Sequence, residues 1–100
     1  MKTLSQKIIY KSILTPGHNT ILVPIGSELL SVKNQSGNIS VWYLCELSNA
    51  HERLQLYVGV TGSYLPDLSI HGELNFIDTV LLDNDTFVVH VFEIKKTNKD

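Results

Sequence analysis

A single cysteine, Cys45, stands in the 100-residue chain, so no disulfide can form within it. The usual staple of small secreted domains is excluded, and the fold has to hold by burial. Charged residues make up only 18%, too few for a disordered chain, while the 43% hydrophobic share suffices for one packed core. Eight Lys and Arg against ten Asp and Glu leave a formal charge of −2. That balance argues against a binder of DNA or RNA polymer, which needs roughly 6–10 phosphate contacts. No run approaches the ~18 apolar residues of a membrane-spanning helix. Lys7 and Lys11 break the N-terminal segment below signal-peptide length. With no lipidation motif at either end, the chain is expected to be a complete cytosolic protein with no membrane partner. Its length bounds a single domain, 1–100, with a radius of gyration of about 13 Å. The polar tail 95–100 is expected to fray.

What the chain does have is a period of two. Ile39, Val41, Tyr43, Cys45 and Leu47 share one face of an extended segment, with Ser40, Trp42, Leu44 and Glu46 on the other. Leu54, Leu56, Val58 and Val60 alternate with Arg53, Gln55, Tyr57 and Gly59. Phe87, Val89 and Val91 alternate with Val88, His90 and Phe92, apolar on both sides as in a central strand. Further strands are expected over Lys7 to Leu14, Thr20 to Val23, Glu28 to Lys33 and Thr79 to Leu82. Pro24 ends the second strand or marks an edge. Asn34-Gln35-Ser36-Gly37-Asn38 and Asp83-Asn84-Asp85 read as turns. Between Val60 and Asn75 the alternation fails, leaving an irregular stretch with at most one helical turn around Asp67 to His71. The expected fold class is all-β: a single small antiparallel sandwich or barrel of about seven short strands.

Candidate chemistry is sparse. Cys45 lies on the apolar face and is expected to be a buried, inert thiol. His18, His51, His71 and His90 show no metal-ligand spacing, and His90 reads as a satisfied core or sheet-face residue. No metal and no cofactor are expected. Asp83-Asn84-Asp85 lacks the glycine and distal glutamate of a calcium loop. Gly59-Val60-Thr61-Gly62-Ser63 follows a strand and offers backbone N–H groups to an anion, though without the Gly-Lys-Ser/Thr of a phosphate loop. Trp42 and Leu44 form a large apolar pair facing away from the core, expected to be covered by a dimer or sheet contact.

Several strings taken in order carry a family resemblance. Val23-Pro24-Ile25-Gly26 leads into Leu29-Leu30-Ser31-Val32, followed by Val41-Trp42-Tyr43-Leu44-Cys45-Glu46. Val60-Thr61-Gly62, Phe76-Ile77-Asp78-Thr79-Val80 and Val89-His90-Val91-Phe92-Glu93 complete the set. Over nearly its whole length the chain resembles a family of short phage-encoded all-β proteins of unknown function. The resemblance implies a bacteriophage origin, action in the host cytoplasm and no catalytic residues. By analogy with phage anti-defence proteins of this size, it points to a sponge that sequesters a nucleotide-derived host immune signal.

A sandwich core is about 10 Å thick and filled by side chains, whereas ligand sites need about 300–1,000 Å³. A small anionic nucleotide-type ligand must then sit at a loop end or at a homo-oligomer interface. Arg53 is the best cation, with Thr61, Gly62, Ser63, Tyr64 and His71 as its expected partners and Trp42 and Leu44 as the interface. The alternative is a protein-binding module that inhibits a host protein or joins a phage assembly. An enzyme is not expected, because no nucleophile–base pair is visible.

Overall fold

A computed structural model describes residues 6–67 and 72–96. These residues form β1 (Lys7–Leu14), β2 (Gly17–Pro24), β3 (Glu28–Gln35), β4 (Asn38–Glu46), β5 (His51–Val60), β6 (Gly72–Leu82) and β7 (Phe87–Lys96). The pairs are antiparallel and make two sheets, ordered β1-β4-β3 and β2-β5-β7-β6, rather than one closed barrel. Among the described residues no helix is long and apolar enough to cross a membrane.

The alternation read along the chain becomes the core. Leu14, Val32, Ile39, Val41, Leu56, Val58, Val80, Leu82, Val89 and Val91 form one buried cluster drawn from both sheets. Val23, Tyr43 and Cys45 form a smaller one beside it, flanked by Ile21, Leu29 and Leu54. Cys45 is buried, and its thiol donates to the Ile8 carbonyl at 3.6 Å. Leu47, expected on the same face, instead lies beyond β4 and is 42% exposed. Between β3 and β4, Ser36 and Gly37 both have positive φ (52° and 86°), the two-residue hairpin geometry that matches the twist of the flanking strands.

Three expectations need correction. The slab measures 54 × 41 × 15 Å with a radius of gyration of 15.1 Å, larger than the compact value, because strands of up to 11 residues are laid in only two layers. β6 begins at Gly72, not at Thr79. Its first half was illegible because a bulge between Phe76 and Asp78 shifts the alternation by one residue. Of the tail expected to fray, Lys95 and Lys96 instead continue β7, paired with Glu73 and Gly72 of β6, and 97–100 lie outside the described residues. The helical turn expected at Asp67 to His71 falls mainly outside the described residues.

Candidate functional site

The four-stranded sheet consists of two ribbons that share a ladder along only part of their length. β2 follows β5 from Gly17↔Val58 to Pro24↔His51, and β6 follows β7 from Leu82↔Phe87 to Gly72↔Lys96. Between β5 and β7, pairing runs only from Val60↔Val89 to Leu56↔Glu93. Past that point the ribbons part. The cause lies in the core-facing positions. On β7, Val89 and Val91 give way to Glu93 and Lys95, and on β6 the residues opposite these are Asn75 and Glu73. On β5, by contrast, Leu56 is followed by the apolar Leu54, which packs against the smaller cluster. Apolar burial keeps β2 and β5 on the core, while the charged end of β6 and β7 gains nothing by following.

The gap is an open cleft of about 570 Å³ lined by Arg53, Leu54, Gln55, Glu93, Ile94, Lys95 and Lys96. Among the described residues, none of its three cations is held in an ion pair or a side-chain hydrogen bond. Glu93 supplies the one carboxylate of the lining. Opposite Glu93 in the ladder, Asn75 keeps its Nδ2 buried with no hydrogen-bond partner, an uncommon state for a donor. The lining has no thiol, hydroxyl or imidazole.

Arg53 is thus the sequence candidate that lines the cleft. Thr61, Gly62, Ser63 and Tyr64 follow the other end of β5, eight residues or about 26 Å of extended strand away. There Thr61 and the Ser63 N–H are bonded within the fold. Thr61 N–H donates to Val88 O (3.1 Å) and Ser63 N–H to Val60 O (2.9 Å), with Gly62 at φ 92°. The Thr61 hydroxyl lies 2.7 Å from His90 Nε2, and the Thr79 hydroxyl 3.0 Å from its Nδ1, so both ring nitrogens are engaged. The space beside this turn is about 210 Å³. Leu65 folds back over Gly59, while Tyr64 is 99% exposed. His71 lies outside the described residues. Trp42 and Leu44 are half-buried on the outer face of the smaller sheet, opposite Lys11 and Ile9 of β1. Among the described residues no cluster of His, Cys, Asp or Glu is arranged to hold a metal ion.

Lys95 and Lys96 are the cleft residues that sequence reasoning passed over. The signal was available in the core-facing series Val89, Val91, Glu93, Lys95, where apolar positions turn ionic before the strand ends.

A family model for a domain of unknown function, DUF7352, matches residues 5–100. The chain belongs to that family. Comparison with curated proteins and with solved structures gives no significant match.

Proposed function

We propose that the protein is a non-enzymatic binder of a small anionic, nucleotide-type ligand, held where β5 and β7 part. The observation that carries this reading is the set of three unpaired cations, Arg53, Lys95 and Lys96, around one cleft of about 570 Å³. That volume falls in the range of small-molecule sites. The planar fork of Arg53 suits two phosphate oxygens, and the lysines add point charge. The carboxylate of Glu93 accepts from ribose hydroxyls or a base amine, the groups that separate a nucleotide from a bare phosphate. A lining with no hydroxyl, thiol or imidazole favours retention over turnover. In the setting implied by the phage resemblance, the ligand is a host immune signal and the role is stoichiometric sequestration.

The test uses the purified full chain titrated calorimetrically with ADP and with inorganic pyrophosphate. Exposure to lysates carrying nucleotide signals, heat release and mass spectrometry then complete it. Saturable binding that falls about tenfold or more in Arg53→Ala is expected, the loss typical of one charge-assisted contact. Binding unchanged in Arg53→Ala and in Lys95→Ala/Lys96→Ala would remove the cleft from consideration. A cleaved product would indicate an enzyme, and co-purification of a host protein with no nucleotide would support the protein-binding alternative.

A further inference from the structure

Each sheet of an open sandwich has two edge strands, whose free backbone groups invite another strand unless something blunts them. Three of the four edges here are blunted. β3 carries a bulge between Leu29 and Ser31, and its Asn34 side chain donates to Leu81 O of β6 at 3.1 Å. β6 carries its own bulge, and Asp78 Oδ1 accepts from Thr79 N–H at 2.8 Å. β2 ends in Pro24, which has no N–H, and near its start Gly17 O accepts from the Asn19 side chain at 3.0 Å. β1 has no bulge, no proline and no glycine along its eight residues, and only the side chains of Lys7 and Lys11 discourage pairing there.

The core-side face of β1 is largely apolar, its outer face alternates Lys7, Ile9, Lys11 and Ile13, and apolar residues are left exposed on both. Ile8 and Tyr10 face the core side, opposite Cys45 and Tyr43, yet remain 38% and 43% exposed. Ile9 and Ile13 on the outer face are 55% and 51% exposed. The sandwich therefore does not close over this strand.

We infer that β1 is a homodimer interface, pairing antiparallel with β1 of a second copy about a two-fold axis at Tyr10. The backbone geometry and the charge pattern select this register. Gln6 O accepts from Leu47 N–H at 3.2 Å, so the backbone groups of Gln6 point towards β4. By strand alternation those of Ile8, Tyr10 and Ser12 do the same, while those of Lys7, Ile9, Lys11 and Ile13 face outward. A two-fold at Tyr10 sets Ile9 opposite Lys11 and Lys7 opposite Ile13, all outward-facing, giving about eight backbone hydrogen bonds. A two-fold at Ile9 sets Lys7 opposite Lys11, and one at Lys11 sets that lysine opposite its own copy, and like charges directly opposed are unfavourable. At Tyr10 no two lysines stand directly opposed. Lys11 Nζ donates to Gln35 Oε1 of β3 at 2.7 Å, which draws its charge away from the seam, and Tyr10, already edge-on to Tyr43 at 6.3 Å, meets its own copy on the core side. The two three-stranded sheets become one six-stranded sheet. Trp42 and Leu44 stand one strand in from the seam, on the same outer face as Ile9 and Lys11.

Sedimentation equilibrium of the full chain at about 100 µM is expected to give twice the 11.2 kDa monomer mass. Ile9→Pro removes an N–H that serves only the seam, so it should leave the β1–β4 ladder intact and yield a folded monomer by circular dichroism. Ile9→Lys sets a lysine against Lys11 of the other copy and should weaken the dimer about tenfold. Adding Lys11→Glu turns those repulsive pairs into attractive ones and should restore it. A monomeric wild type, or a dimer undiminished by Ile9→Pro, overturns the inference. Failure of Lys11→Glu to rescue Ile9→Lys overturns the register.

Discussion

The two ends of the β5–β7 pair are built from the same two strands, yet one end is closed and the other open. At the closed end Val58, Val60, Val89 and Val91 continue the core, and above them His90 is held by Thr61 and Thr79. At the open end the core-facing positions of β7 become Glu93 and Lys95, and its pairing with β5 stops. Hydrogen-bonding capacity is spent internally in the first case and left free in the second. A sheet can thus make a cleft without any loop, by ending its apolar alternation on one strand before it ends on the neighbour.

The sharpest way to break this comparison is at the junction. Leu56 is fully buried and is the last β5 residue paired with β7. Leu56→Ala should cost about 3 kcal/mol in urea unfolding and lengthen the gap. A loss below about 1 kcal/mol would mean that burial is not what holds the ribbons together. Next comes Gly72, where an added Cβ would lie 2.9 Å from the Lys95 carbonyl oxygen, a backbone atom that cannot step aside alone. Gly72→Ala should destabilise by about 2 kcal/mol and weaken pyrophosphate binding as well, because the strand carrying Lys95 and Lys96 has to shift.

A smaller effect separates the ends functionally. Thr61→Val removes one of the two hydroxyls on the His90 ring. It should cost about 1 kcal/mol of stability and leave pyrophosphate affinity unchanged. A loss of affinity there would return the Thr61–Tyr64 turn to the site. Smallest of all, Glu93→Gln takes the carboxylate out of the cleft lining. By removing repulsion it should strengthen pyrophosphate binding about threefold in calorimetry. For ADP the gain should be smaller, because a charged acceptor for the ribose is lost.

Much of the fold was legible because an antiparallel strand with one buried face must alternate. β1 reads from about Lys7 to Leu14, and Ile39, Val41, Tyr43 and Cys45 fall on one apolar face, which the structure buries. The first half of β6 is not legible, since its bulge switches the core-facing series from Glu73, Asn75 and Ile77 to Val80 and Leu82. At the candidate site, Arg53 stood out by its chemistry alone. Its partners did not, because β7 lies far along the chain and reaches β5 only through the sheet order. Arg53 and Thr61 through Tyr64 are close in sequence but not in space, because an extended strand separates them at about 3.3 Å per residue.

Composition and alternation by themselves determined an all-β chain without disulfides, the faces of most strands, and a hairpin loop within Asn34–Asn38, which the structure narrows to Ser36-Gly37. These are local properties, set by which side chains leave water and which backbone angles a residue tolerates. Tertiary structure alone decided which strands are neighbours, where the ladder between β5 and β7 stops, and which edge is left bare. Those follow from competition among distant segments for one core, and no window of sequence contains both sides of that competition.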